Sequence, residues 1–274
     1  MSMSQFFFNE KKLNKIAEEN AEKYQKAKPC PHIYIDNILP PEVAEELLNE
    51  FPTPESDVWE NKYSDEHQYK MACEETSLFP EHIREVLGEF NSAVFISFLE
   101  KLTGIEGLIP DPYYRGGGMH QIIPGGFLKV HVDFNWHKKL NLERRLNIIF
   151  FLNKNWKEEY GGHFELWNKE MTKSEVKVLP VFNRMAIFST SEDSFHGHPD
   201  LLKCPEGMTR KSLALYYYTS PATENQTMAA DSHSTLFRTR PGEKLKKKKN
   251  RSVKYILKQF VPPIVINFSK KMRW

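Results

Sequence analysis

The chain has 274 residues, of which 40% are apolar, 27% charged and 13% aromatic, which is enough to bury a core and excludes a disordered chain. Three cysteines, Cys30, Cys73 and Cys204, with no CxxC spacing exclude a disulfide scaffold and a zinc ribbon. The net charge of +2 divides into a tail over 238–274 with 13 basic residues and one acid, and a body with 25 basic and 35 acidic residues, so the body is not expected to bind nucleic acid.

Met1–Phe8 lacks a basic stretch and ends in three consecutive phenylalanines, so no signal peptide is expected. No apolar run approaches the roughly 18 residues of a membrane span, and a reducing cytoplasm is the expected compartment. Residues 9–27 carry Leu13, Ile16, Ala17, Ala21 and Tyr24 at helical spacing, with Asn9 as cap and Pro29 and Pro31 as stops. His32–Asp36 is predicted as a short strand, and 41–51 as a helix with Pro41 in its first turn that buries Val43, Ala44, Leu47 and Leu48. The pattern of Ile83, Leu87, Phe90, Val94, Phe98 and Leu102 predicts one long helix over 81–103, closed by Gly104.

After Gly104 the character changes. Glycine pairs at 117–118, 125–126 and 161–162 punctuate β-branched and aromatic runs at 120–123, 127–132, 146–152, 163–167, 176–178, 185–188 and 212–219. Helices followed by strands predict an α+β class, a sandwich, barrel or jelly roll with helices against one face. From about Pro221 the pattern ends in a lysine-rich run at 243–251 and an apolar stretch at 255–268 broken by Pro262-Pro263.

His131-Val-Asp133 falls in or just after an apolar strand, and side chains two apart on a strand share a face. One imidazole and one carboxylate there can hold one ion, and a second imidazole would complete the two-His, one-carboxylate set that leaves positions open on non-haem Fe(II). A surface polar pair is the bland alternative. The third ligand would come from another strand, with His137, His163, His196, His198 and His233 as candidates; His196 follows the strand Asn183–Ser189. Arg210 falls in the segment Met208–Tyr218, which otherwise reads as a buried strand, and shares a face with Ser212, Ala214 and Tyr216. An arginine inside a barrel needs an anion, and its planar guanidinium suits a carboxylate, with Ser212 beside it as a second donor. Pointing to water at the strand edge is the alternative.

Taken in order, His120–Asp133, Arg145–Trp156, Gly161–Trp167, Asn183–Phe188, Ser194–Gly197 and Arg210–Leu213 resemble the 2-oxoglutarate- and Fe(II)-dependent oxygenases, in the branch similar to prolyl 4-hydroxylases, over roughly 117–220. The resemblance implies a double-stranded β-helix, a jelly-roll barrel spanning about 115–220, buttressed by N-terminal helices. The expected division is an N-terminal helix at 1–28, an oxygenase domain at 29–225 and a basic tail with a short apolar segment at 226–274. The resemblance places His131, Asp133 and His196 on the iron, with His196 preferred to His198 because the family's ligand comes first in this loop. It places Arg210 on the distal carboxylate of 2-oxoglutarate, with O2 as second co-substrate and ascorbate as accessory. The implied reaction is hydroxylation of an unactivated C–H bond with release of succinate and CO2.

The chain departs from the family in two places. Many relatives present a tyrosine hydroxyl to 2-oxoglutarate from the strand after the His-x-Asp pair; here that stretch is Ile148–Phe151, and Asn147 or Gln121 is the expected substitute. Asp200–Gly207 is expected as an inserted loop beside the mouth. Tyr216 stands where the nucleic-acid dealkylase branch carries a second arginine, which disfavours that substrate. The expected substrate is a prolyl or other amino-acid side chain, a small metabolite or a glycan sugar. The tail either contacts an anionic membrane surface or packs on the core. The alternative function is a cupin-like sugar-modifying or sugar-binding protein without oxidative chemistry.

Overall fold

The Asn9 side chain accepts a hydrogen bond from the Lys12 backbone and opens α1 (Glu10–Lys26). In this computed structural model, residues 6–221 and 232–243 are described. The lysine-rich run beyond 243 and the apolar stretch after it lie outside them, as does 222–231. After α1 come β1 (His32–Asp36), α2 (Pro41–Glu50) and a hairpin of β2 (Asn61–Ser64) and β3 (Gln68–Cys73). The predicted long helix is two helices, α3 (Glu81–Phe90) and α4 (Ala93–Thr103). Asn91 ends the first, and the Ser92 hydroxyl caps the second by accepting from the Phe95 backbone. The apolar period continues across the break, which hides it in the sequence. Gly104, at φ +73°, closes α4 as predicted. No helix among the described residues is long and apolar enough to cross a membrane.

The strands that follow are β4 (Ile109–Pro110), β5 (Gly118–Ile122), β6 (Phe127–Val132), β7 (Trp136–His137), β8 (Leu142–Phe151), β9 (Phe164–Trp167), β10 (Ser174–Val178), β11 (Arg184–Ser189), β12 (His196–His198), β13 (Arg210–Thr219) and β14 (Leu236–Phe237). They join β1 and β3 in an antiparallel sheet ordered β1-β11-β8-β13-β5-β3-β6-β12-β9-β10, with β14 added to β6. Residues of β13 and β5 line the same cavity as residues of β6 and β12. The sheet therefore curls into a nearly closed barrel, the expected jelly roll on an α+β frame.

Alternation along the strands divides core from site. Leu146, Ile148 and Phe150 of β8 and Leu213, Leu215 and Tyr217 of β13 face the helices, in one core with Leu13, Ala17, Leu47, Phe90, Phe95 and Phe98. Each such large side chain contributes about 1.5–3 kcal/mol by leaving water. α1 packs on α4, and its Leu13, Ala17 and Tyr24 belong to this core. The opposite faces of β8 and β13, with Asn147, Ile149, Arg210, Ser212 and Ala214, line the cavity.

Part of the segment assigned to the tail also belongs to the barrel. β14 pairs with β6 (Leu236 with Val132, Phe237 with His131), and Phe237 stacks on His67 of the β2–β3 turn at 4.5 Å. Leu236 and Phe237 thereby add an edge to the sheet beside the site.

Candidate active site

β6 and β12 are paired so that His131 faces His196, with ring centroids 4.4 Å apart. Gly197 makes this approach possible: a Cβ there would lie 2.8 Å from the Leu128 carbonyl oxygen and 2.9 Å from that of Lys129. Asp133 follows β6 by one residue. Its carboxylate lies 3.5 Å from His131 Nε2 and 3.2 Å from His196 Nε2. In both histidines Nδ1 is 2.8 Å from a backbone carbonyl, that of Lys129 or Ser194, so Nδ1 carries the proton and the Nε2 lone pair is turned to the carboxylate. The donor atoms of His131, Asp133 and His196 lie within 4.8 Å of one another. Two imidazoles and one carboxylate are the donor set of a divalent metal with open positions, so the residues fit Fe(II).

The electrostatics agree. Burial pushes the His131 imidazolium down, and the adjacent His196 adds to this, so the ring is neutral at pH 7. Burial works against the Asp133 anion, but the Arg144 guanidinium beside it outweighs this and holds the carboxyl well below the usual range. Arg144 is 3% exposed; its Nη2 donates to Asp133 Oδ2 at 2.9 Å and its Nε to Asn147 Oδ1 at 2.8 Å. Asn147 Nδ2 donates to the same Asp133 oxygen at 2.6 Å. The guanidinium lies 3.4 Å from the Tyr216 ring centroid and 4.5 Å from that of Phe134.

Arg144 does not stand out in the sequence, because a β-bulge on β8 shifts its register. Leu146 pairs with Tyr217 and Arg144 with Tyr218, leaving Arg145 as the extra residue. Without the bulge Arg144 would share the helix-facing side with Leu146. The bulge turns it to the side of Asn147.

The far end of the cavity, about 200 Å³ in volume, is formed by β13, β5, β3 and the end of β12. Arg210, 4% exposed, donates from Nε to the Gly162 carbonyl at 2.7 Å and makes no ion pair among the described residues. Burial pushes its guanidinium down to about 9, still cationic at neutral pH. Gly162 must be glycine: its φ is +71°, and a Cβ would lie 2.5 Å from Leu202 and 3.0 Å from the Arg210 side chain. Leu202, in the inserted loop, hydrogen-bonds through its backbone to Gly125 and Gly126 and so packs that loop onto the β5–β6 turn. Ser212 and Lys70 also line the cavity. So do His198, whose two ring nitrogens are buried without a partner, and His120, whose Nε2 is. A buried cation with no anion beside orphaned imidazoles fits a dicarboxylate.

The structure separates the remaining sequence candidates. His137 Nε2 lies 3.4 Å from Asp111, His163 pairs with Glu158 and His233 with Glu192, all away from the triad. His198 shares the face of His196 but sits at the Arg210 end, which leaves His196 with His131 and Asp133. Gln121 is not in the cavity. His120 and Ile122 are the inward residues of β5, opposite Ser212 and Arg210, so Gln121 points the other way and donates to Thr209 Oγ1. Asn147 is in the site, with its amide oxygen accepting from Arg144 and its nitrogen donating to Asp133, so it positions the carboxylate. Asn147→Leu is expected to weaken Mn(II) binding about 10- to 100-fold with the fold intact. A metal titration with unchanged affinity would remove this role.

Residues 117–218 match the family described as the 2OG-Fe(II) oxygenase superfamily. Residues 117–218, which hold most of the barrel strands, belong to this superfamily. The chain is a 2-oxoglutarate- and Fe(II)-dependent oxygenase, and the cupin-like alternative is not favoured. Among solved structures, this oxygenase is similar to a prolyl hydroxylase of Trichoplax adhaerens in complex with a hypoxia inducible factor peptide fragment, at 16% identity over 76% of this chain and 91% of the other, with a TM-score of 0.57. It is similar to a prolyl 4-hydroxylase of Pseudomonas putida at 16% identity, over 76% of this chain and 100% of the other, with a TM-score of 0.52. A prolyl 4-hydroxylase of Phytophthora capsici matches at 18% identity, over 83% and 73% of the two chains, with a TM-score of 0.51. These likenesses are of fold, and they agree with the prolyl 4-hydroxylase-like branch. Comparison with curated proteins finds no match.

Proposed function

We propose that His131, Asp133 and His196 hold Fe(II), that Arg210 and Ser212 hold the distal carboxylate of 2-oxoglutarate, and that the oxygenase hydroxylates an aliphatic C–H bond presented at the cavity mouth. The observation that carries this reading is Arg210, a buried cation without an anion that faces the His-Asp-His cluster across one cavity. Iron held there would activate O2, the oxidant, with two electrons drawn from 2-oxoglutarate, which leaves as succinate and CO2, and two from the C–H bond that is hydroxylated. The protein's own part is placement. The carbonyls of Lys129 and Ser194 orient the two imidazoles, and Arg144 and Asn147 fix the carboxylate. Phe164 and Ile149 keep the cavity wall apolar, which limits water around the reacting groups.

The mouth is walled by Tyr63 and Gln68 of the β2–β3 hairpin, by Phe134, and by Thr235 and Phe237 at β14. Aromatic walls with two polar contacts suit a peptide side chain or a small cyclic metabolite, and the peptide-bound Trichoplax enzyme shares the fold. The test is a screen of peptides and nucleotide sugars coupled to succinate release with Fe(II). The expected result is succinate that depends on both Fe(II) and 2-oxoglutarate, rising with the matching substrate. Iron-loaded protein that forms no succinate with or without any substrate contradicts it.

A further inference from the structure

The cavity holds one more cation than the family resemblance accounts for. Lys70 lies on β3, outside the residues that match the family. On that strand Gln68 is opposite Leu128 and Ala72 opposite His120, and both partners line the cavity, so Lys70 between them faces inward too. The register is more specific. Met71 pairs with Gln121 and Arg210 pairs with Ile122, which puts Lys70 and Arg210 on either side of Ile122 at one level of the barrel. Lys70 makes no ion pair among the described residues; its ammonium lies 5.6 Å from the Tyr63 ring centroid.

The charges close only with an anion. Asp133 and Arg144 are paired and cancel. His120 is held neutral, chiefly by burial. Arg210 and Lys70 are left, and two unpaired positive charges in one partly desolvated cavity are costly. A dianion removes that cost. Burial and Arg210 press the Lys70 ammonium down to about 8 against the pull of Asp133, so it remains mostly charged at neutral pH.

We infer that Lys70 is a second cationic anchor for the distal carboxylate of 2-oxoglutarate, opposite Arg210, with the unpartnered ring of His198 as a neighbouring hydrogen-bonding group. The inference rests on the reading that this cavity takes 2-oxoglutarate. It answers the missing tyrosine: the strand after the His-x-Asp pair offers no free hydroxyl or amide, and β3 supplies an ammonium in its place.

Calorimetric binding of 2-oxoglutarate to the Mn(II)-loaded, oxygen-free protein tests it without turnover. Lys70→Met is expected to raise the dissociation constant roughly 10- to 100-fold, with Mn(II) still bound, and Lys70→Arg to recover most of the loss. For 2-oxobutanoate, which lacks the distal carboxylate, the same substitution is expected to change binding less than about twofold. Equal 2-oxoglutarate binding by wild type and Lys70→Met overturns the role of Lys70 alone, as does an equal penalty for both acids. Wild type that holds Mn(II) but binds no 2-oxoglutarate overturns the reading of the cavity, and Lys70's role with it.

Discussion

Asp133→Ala is expected to reduce 2-oxoglutarate turnover to the level of protein-free solution. The substitution removes the one anionic donor of the cluster and leaves two imidazoles, too few to hold a divalent ion against water. It also strands a charge. The Arg144 side chain is fully buried and pairs with Asp133 at 2.9 Å, and breaking such a pair from one side costs about 3–5 kcal/mol. The single variant should therefore melt lower as well as lose activity. Asp133→Ala combined with Arg144→Met separates the two effects: stability should return, and metal binding and succinate formation should not. Turnover retained in either variant would remove Asp133 from the site.

Arg210→Met is expected to raise the KM for 2-oxoglutarate by roughly 30- to 5,000-fold, the equivalent of about 2–5 kcal/mol for truncating one side of a buried charge pair. Mn(II) affinity should be retained, because Arg210 touches none of the three donors. Thermal stability should move the other way. Burial holds the folded guanidinium down to about 9, below its unfolded value, so the charged form penalises folding at pH 7. Replacing it with an apolar side chain of similar length should leave the ligand-free protein as stable or more so. The stabilisation conferred by 2-oxoglutarate should shrink in the variant. An unchanged KM would place the co-substrate elsewhere.

What the sequence exposes, and what it hides, follows from how local each signal is. The His131-Val-Asp133 spacing and the face shared by Arg210, Ser212, Ala214 and Tyr216 depend only on strand alternation, and the structure has both. Gln121 fails for the same reason in reverse. A strand over 120–123 has two faces, and only its pairing with β13 shows that His120 and Ile122 point inward. Asn147 was legible as a polar residue of the site but not as a partner of Asp133, because Arg144 completes that contact and a bulge delivers it. Lys70 was hidden because Asn61–Ser64 and Gln68–Cys73 lack a clean apolar alternation; the hairpin gains its stability from pairing with β5 and β6. β14 was hidden because two residues beside a basic run carry no periodic signal, and only Leu236 and Phe237 against Val132 and His131 define them.

The rest depends on His131 of β6, Asp133 just after it and His196 of β12 surrounding one metal ion while Arg210 faces it. Anomalous scattering from crystals loaded with Mn(II) and 2-oxoglutarate measures this directly. The account predicts a single strong peak bonded to His131 Nε2, His196 Nε2 and the Asp133 carboxylate, with the distal carboxylate of 2-oxoglutarate on Arg210. A peak at other side chains, or a co-substrate carboxylate that does not reach Arg210, would contradict it.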